Sequence, residues 1–408
     1  MTSSRFGHPE PEKTTHVIHH GHTSPRAHAR ILHTSDWQLG MTRWFLEPDS
    51  HGDDDGGLNS QALYTGARFA AIQRMADVAH QRDCDLVVVA GDVFDKDNVG
   101  KRIQSRFIEA IEHFAPIPIV FLPGNHDPYQ VGSVWRSSFA QDIEEAGGII
   151  LGDFSLHTIG DIEVFGAPLT SNRPTDDLVS AALNAREPAQ GIRVMLGHGQ
   201  PRRAFGNEDN HIDMETVDHA LQNHLVDYIA MGDTHSVQQI DSRGGMWFSG
   251  SHEPTDFDNK ERQSGYCLVV DLDVADGATS ITVDPVHVAE WEFHYDSREI
   301  TTDDDIESWY TDLSTIRGAS STVVKNALIG RITFDQAYRI DEYKQRLANR
   351  FAAYIVDAEH TNLDILPDSL DPDEFKLNGY FRKVLDDLNP NDDVDREALK
   401  LLYQLSHR

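Results

Sequence analysis

Cysteine is nearly absent from this chain, with two residues in 408, Cys84 and Cys267. They stand too far apart for a disulfide or thiolate-metal spacing, and both flank apolar, strand-like runs. They read as buried thiols in a reducing compartment. Long apolar runs are also missing: no stretch approaches the length of a membrane span. The N-terminus is polar, rich in His and Pro, and lacks the apolar core of a signal peptide. A soluble, cytoplasmic chain with no membrane partner is expected. The third scarcity is positive charge. There are 35 Lys and Arg against 67 Asp and Glu, for a formal net charge of -32. A free-standing nucleic-acid binder draws most of its affinity from Lys and Arg on phosphates, so tight autonomous DNA binding is disfavoured. Chemistry on a phosphate backbone is not excluded, because bound metal ions invert the local field.

The length calls for two or three domains, and an apolar fraction of 39% is enough to pack them. Residues 1–29 have no hydrophobic period. They carry His8, His16, His19, His20, His22 and His28, and read as a disordered His-rich tail, with metal binding as the lesser alternative. From residue 30 the pattern alternates. Helical spacing is expected over 60–82, 101–114 and 134–146, and buried strands over 31–34, 86–90, 117–122, 192–196 and 228–231. Shorter strands follow near 149–151, 155–159, 162–165, 238–240, 246–248, 266–271 and 281–283. This texture suggests a domain over 30–288 built as two sheets face to face with helices outside. A small α/β domain over 289–365 is expected next, with helices over 306–316 and 341–356 and a strand over 327–334 between them. Residues 366–408 read as a Pro-containing linker and a helical hairpin, bearing Phe375, Phe381, Leu401 and Leu405, that either docks on its own body or binds a partner.

Five short clusters each follow an expected buried strand and open into a loop. They are Ser35-Asp36-Trp37-Gln38, Gly91-Asp92-Val93-Phe94-Asp95, Gly124-Asn125-His126-Asp127, Gly197-His198-Gly199 and Gly232-Asp233-Thr234-His235. Ligand sites in open α/β sheets lie beyond the carboxyl ends of strands, so these loops can converge. Their oxygen and imidazole donors suit Mn, Fe or Zn rather than Ca. Taken singly, a Gly-Asp after a strand is more often a turn than a ligand. All five in this order are not a chance pattern.

That order resembles the calcineurin-like metallophosphoesterases, and 32–40 with 91–95 resemble the SbcD nuclease subunits of SbcCD repair complexes. The resemblance implies an αββα metallophosphoesterase sandwich, with the 289–365 domain in the place of a capping domain. It also implies a two-metal DNA nuclease that acts with an SbcC-like coiled-coil ATPase, with a homodimer as a further assembly. On the family pattern, Asp36, position 38 and His235 hold one divalent ion, and Asn125, His198 and position 233 hold the other. Asp92 bridges them. His126 protonates the leaving oxygen, and Asp127 sets its tautomer. Manganese is the first choice of metal, with Mg, Fe or Zn as alternatives.

Two positions depart from the family pattern: Gln38 and Asp233 stand where His is usual. Both can ligate through oxygen, but three carboxylates against two divalent ions leave only about one positive charge. Arg43, Arg202 and Arg203 are the candidates for substrate backbone contacts. Other motifs fail. Val99-Gly100-Lys101 lacks the rest of a phosphate-binding loop, and 53–57 lacks the closing Glu of a calcium loop. Two further functions share the same clusters: a phosphodiesterase or phosphatase for small esters, and a weakly active regulatory protein.

Overall fold

The computed structural model describes residues 9–20, 25–47, 60–201 and 212–365, with scattered positions from 383 to 401. Two compact units make up the chain, Met1–Glu292 and Phe293–Arg408. Strand Leu86–Ala90 shows how the first unit is layered. All five residues are buried, and side chains alternate along a strand, so both faces of its sheet must be covered. Leu86, Val88 and Ala90 enter one core with Val194, Leu196, Ile229 and Met231 of a second sheet. Val87 and Val89 enter another core, formed with Phe69, Ile72, Phe107 and Phe139 of the flanking helices.

The first sheet has seven strands in the order Thr14–His19, Ala278–His287, Tyr266–Ala275, Ala27–Thr34, Leu86–Ala90, Ile119–Leu122 and Gly148–Ile150. Its last four strands are parallel. Helices Ser60–Gln81, Lys101–Glu112 and Ser138–Glu145 connect them. The second sheet runs Gln238–Gln239, Met246–Phe248, Tyr228–Gly232, Ile192–His198, Ile162–Gly166 and His157–Ile159. Helices Leu178–Asn184 and Met214–Gln222 pack on it through Val179, Leu183, Val217 and Leu221. The result is the expected αββα sandwich. His33 ties its two sheets together. Its Nε2 lies 3.2 Å from the Met231 carbonyl and its Nδ1 lies 2.9 Å from the Tyr228 hydroxyl. A carbonyl only accepts, so the ring proton sits on Nε2 and the phenol donates to Nδ1. Burial lowers the pKa of His33 to about 3, which keeps it neutral.

Several expectations are corrected. The tail over 1–29 is not disordered throughout: Thr14–His19 pairs antiparallel with Ala278–His287. Its polar composition hid it, because an edge strand buries little. Ile18 is buried while Val17 faces out. The helix expected over 134–146 is split by Ser137, which caps Ser138–Glu145 by accepting from Phe139 N. Two helices went unrecognised, and both start on an Asp cap, Asp177 before Leu178–Asn184 and Asp213 before Met214–Gln222. In the second unit the strand is Thr322–Ile332 and the helix is Phe334–Ala348, not 327–334 and 341–356. Thr333 and Gln336 form a reciprocal capping box there, so the helix starts early. Ala353–Val356 is a strand parallel to Thr322–Ile332, and the unrecognised Glu292–Ile300 completes a four-stranded sheet with Asn362–Ile365. Most of the 366–408 hairpin lies outside the described residues. Of its described part, Leu399 is buried against Phe334. Cys84 and Cys267 are both free and buried, as expected. Among the described residues no helix is long and apolar enough to cross a membrane.

A polar knot anchors the N-terminal strand. The Asp227 carboxylate accepts from Arg193 N at 2.8 Å and from the Thr279 hydroxyl at 2.5 Å, and it lies 3.1 Å from His224 Nε2. The His20 ring stacks on His224 at 4.0 Å. Asp227→Ala strands buried donors, so it should cost about 3 kcal/mol of stability. A denaturant midpoint measures this, and a cost under about 1 kcal/mol would mean that the knot is dispensable.

Candidate functional site

Four of the expected ligand positions sit on strained backbone. Asp36, Gln38, Asp92 and Asp233 have φ of 53°, 39°, 52° and 97°. Side chains seldom take up this left-handed region, and such strain concentrates at functional sites. Backbone bonds hold the conformations in place, continuing the parallel ladder past the strand ends. Asp36 N donates to Gly91 O at 3.0 Å, Gln38 N to Asp92 O at 2.8 Å, and Leu39 N to Val93 O at 2.9 Å. The turns after Ala27–Thr34 and Leu86–Ala90 therefore run side by side. Beneath the Asp36–Trp37 turn the buried Arg68 guanidinium donates to the Trp37 carbonyl at 2.7 Å. Two glycines allow the close approach of the other loops. A Cβ on Gly91 would lie 2.1 Å from the His198 ring, and one on Gly124 would lie 2.2 Å from the Asp92 carboxylate.

His198 shows most clearly what the cluster is for. Its Nδ1 lies 2.9 Å from the Ala90 carbonyl, which can only accept, so Nδ1 carries a proton. Nε2 then faces Asn125 Oδ1 at 2.8 Å, Asp92 Oδ2 at 3.4 Å and Asp233 Oδ1 at 3.8 Å. Three oxygens converging on a bare nitrogen repel one another unless a cation sits among them. A second proton on the ring is one such cation. Burial opposes it, but Asp92, Asp36 and Asp233 outweigh the burial and push the His198 pKa well above its usual value. A divalent ion is the other. Asp36, Asp92 and His198 are all buried, with ligand atoms within 4.8 Å of one another.

The second half of the site centres on His235. Its Nε2 lies 3.9 Å from Asp36 Oδ1 and 3.2 Å from Gln38 Nε2, while the Gln38 Oε1 is buried without a hydrogen-bond partner. An orphaned amide oxygen beside an imidazole and a carboxylate fits a cation ligand. The tautomer of His235 is set from behind. The Thr255 hydroxyl donates to Glu261 Oε2 at 2.7 Å, so towards His235 Nδ1, at 2.5 Å, it can only accept. Nδ1 therefore carries the proton and Nε2 keeps its lone pair for the site. Burial disfavours charge on His235, yet Glu261 and Asp36 hold its pKa at about 9, so without an ion Nε2 carries a second proton, which a bound ion would replace. Glu261 in turn accepts from Thr255 N, Asp256 N and the Ser251 hydroxyl.

The expected residues thus fall into one cluster: Asp36, Gln38, Asp92, Asn125, His198, Asp233 and His235 meet, and His126 lies at their edge. The role expected of Asp127 is corrected. Its two oxygens accept from Gly124 N at 2.8 Å and Phe94 N at 3.0 Å, so it braces two ligand-bearing turns. His126 is oriented instead by the Asp95 carbonyl, 3.0 Å from Nδ1. The Arg43 guanidinium donates to the Thr255 carbonyl and braces that loop. Arg202 and Arg203 lie outside the described residues. Sequence reading missed Glu261, Thr255 and Gln200, the last of which holds Asp233 Oδ2 at 2.5 Å. Gln200 follows His198 by two residues and was within reach of a motif search. Glu261 had no such signal, because only the fold brings it to His235.

Turns at strand ends that gather buried oxygens and imidazoles fit a metal centre, and the chain belongs to the calcineurin-like phosphoesterase family, whose model matches residues 29–237, just over half of the 408, which makes it a metal-dependent phosphoesterase. It is also similar to the SbcD component of the SbcCD nuclease from Rhodobacter capsulatus, 24% identical over 297 residues, covering 61% of this chain and 67% of that protein. The SbcD component of the Bacillus subtilis SbcCD nuclease is 33% identical over 101 residues, which is 24% of this chain and 22% of that protein. Among solved structures, a dimetal phosphatase from Danio rerio overlaps 64% of this chain and 98% of its own at 10% identity, with a TM-score of 0.37. Family members use divalent metals, and the described residues hold two candidate groups, the one above and the His20, His224 and Asp227 knot. In the knot the two rings are stacked within 5° of parallel, so their in-plane lone pairs do not converge on one ion.

Removing the brace behind His235 tests the tautomer assignment. Thr255→Val should weaken binding of the more loosely held divalent ion roughly 10- to 100-fold, the usual range for a lost outer-shell partner. Calorimetric titration of metal-stripped protein measures this, and unchanged affinity at both sites would refute the assignment.

Proposed function

We propose that this chain is a metal-dependent nuclease that hydrolyses DNA phosphodiester bonds as the catalytic component of an SbcCD-like complex. The observation that carries the reading is similarity to an SbcD protein along 297 residues, well beyond the family motifs. Asp36, Gln38 and His235 would hold one divalent ion, and Asn125, His198 and Asp233 a second, with Asp92 between them. Manganese suits this mixture of carboxylate, amide and imidazole donors. Bound ions would supply Lewis acidity for the phosphoryl oxygens and lower the pKa of a nucleophilic water.

The protein's own groups then have separable tasks. The Asp95 carbonyl accepts a hydrogen bond from His126 Nδ1–H, so Nε2 is the atom left to serve the substrate. The His126 side chain is 40% exposed, and its Nε2 lies 3.9 Å from Asp92 Oδ2. A protonated His126 delivers a proton from Nε2 to the departing oxygen. Its backbone N–H meanwhile donates to Asp92 Oδ1 at 2.9 Å, which keeps the loop in register with the ligands. With a net charge of -32, the affinity for DNA would come from a partner, for which an SbcC-like coiled-coil ATPase in the cytoplasm is the fitting class. The segment 366–408 is its proposed docking element, with 289–365 as a capping domain.

A second reading, hydrolysis of small phosphate esters, is favoured by the third carboxylate at Asp233. It lowers the positive charge that a polyanion would meet. Labelled DNA and a small diester, each assayed with Mn, Mg and Zn, separate the two. DNA cleavage is expected, and turnover of the small diester alone would favour the second reading. Asp92→Asn should abolish hydrolysis of either substrate and lower the number of ions bound, as read by elemental analysis. His126→Asn should lower turnover roughly 10²-fold with metal content intact. A parallel loss of metal would remove the proton-donor role.

A further inference from the structure

On the Asp233 side of the cluster a cavity of about 250 Å³ opens beside Asn125, His198, Gln200 and Asp233. The share of liquid volume taken by one water is about 30 Å³, so the cavity can hold a phosphate group and part of what it bears. Its outer wall is the loop carrying Asn172 and Arg173. This loop is pinned to the catalytic loop, because Asn172 Nδ2 donates to the Asn125 carbonyl at 2.8 Å. Arg173 is exposed at the cavity wall, and it makes no hydrogen bond or ion pair with any described residue. Of the two acidic side chains that share the cavity wall with it, Asp176 is exposed and Asp177 is already engaged. Asp177 caps helix Leu178–Asn184, accepting from Ser180 N at 2.9 Å and from the Ser180 hydroxyl at 2.5 Å.

We infer that Arg173 binds a phosphate of a nucleic-acid strand next to the one being cleaved. This rests on the nuclease reading and adds a subsite to it. An arginine held against the ligand loop by its neighbour, with donors uncommitted, offers a fork that matches phosphate oxygens. The scissile phosphate would be neutralised by the ions, whereas a flanking phosphate has no metal to meet and needs a side-chain cation. In a chain so rich in carboxylates, that cation also offsets the repulsion a polyanion meets from Asp176 and Asp233 beside the cavity. None of the three arginines singled out by sequence is shown in this role: Arg43 is engaged with Thr255, and Arg202 and Arg203 lie outside the described residues.

The test compares the manganese-loaded full chain with Arg173→Gln and Arg173→Lys on two substrates. One is a labelled single-stranded oligonucleotide, which has flanking phosphates. The other is bis(4-nitrophenyl) phosphate, which has none. For Arg173→Gln, the ratio of kcat/KM on the oligonucleotide to that on the small diester should fall roughly ten-fold, mainly through KM. Arg173→Lys should recover part of the loss as a point charge. The salt dependence of oligonucleotide binding, followed by fluorescence anisotropy, should become shallower by about one unit of slope in Arg173→Gln. No fall in the ratio, or an equal fall on both substrates, overturns the subsite. A wild-type protein that hydrolyses the small diester but does not cut the oligonucleotide, even with the oligonucleotide in large excess, overturns the nuclease reading, and the subsite with it.

Discussion

The Asp92 carboxylate is the point on which the catalytic cluster turns. Oδ1 accepts from the His126 backbone, and Oδ2 lies 3.4 Å from His198 Nε2 and 3.9 Å from His126 Nε2. Its own carbonyl accepts from Gln38 N. One residue thus links the turns that follow three strands of the first sheet to the last residue of a strand of the second. Burial of a carboxylate raises its pKa, but the neighbouring His198 and His126 outweigh this and hold Asp92 below its usual range. A buried anion so placed demands positive charge around it. The two imidazoles supply some when protonated, and divalent ions supply more when bound.

Strain and bracing are the cost of that arrangement. Side chains on left-handed backbone at Asp36, Gln38, Asp92 and Asp233 stay there only because the surroundings over-determine them. Arg68 bonds the carbonyls under the first turn, Asp127 gathers the N–H groups of the second and third, and Gln200 holds Asp233. None of these groups has to touch a substrate for its loss to be felt, since a candidate ligand displaced by a fraction of an ångström would no longer share an ion with the others. The Thr255 and Glu261 relay works in the same way, by deciding which nitrogen of His235 carries the proton.

Much of the sandwich was legible because buried parallel strands read as continuous apolar runs. Leu86–Ala90 and Ile119–Leu122 are of this kind. Elements that bury only one face sparingly were not legible. Thr14–His19 presents a single buried side chain, and Glu292–Ile300 is mostly charged and polar. Short helices such as Leu178–Asn184 span too few turns for a period to show, although their Asp caps stood in plain view.

The order of residues alone determined which chemistry the first unit can host, since seven candidate ligands stand at or just past strand ends in the order of one family. It also carried the two departures, Gln38 and Asp233, and with them the change in charge at the cluster. Tertiary structure decided everything that depends on a partner distant in the chain. It assigned Asp127 to backbone bracing rather than to His126, brought Glu261 behind His235, and set Arg173 at the wall of a cavity. The reason is physical: a side chain's donors and acceptors are written in its identity, but which of them remain free is settled only by what the fold puts within hydrogen-bond reach.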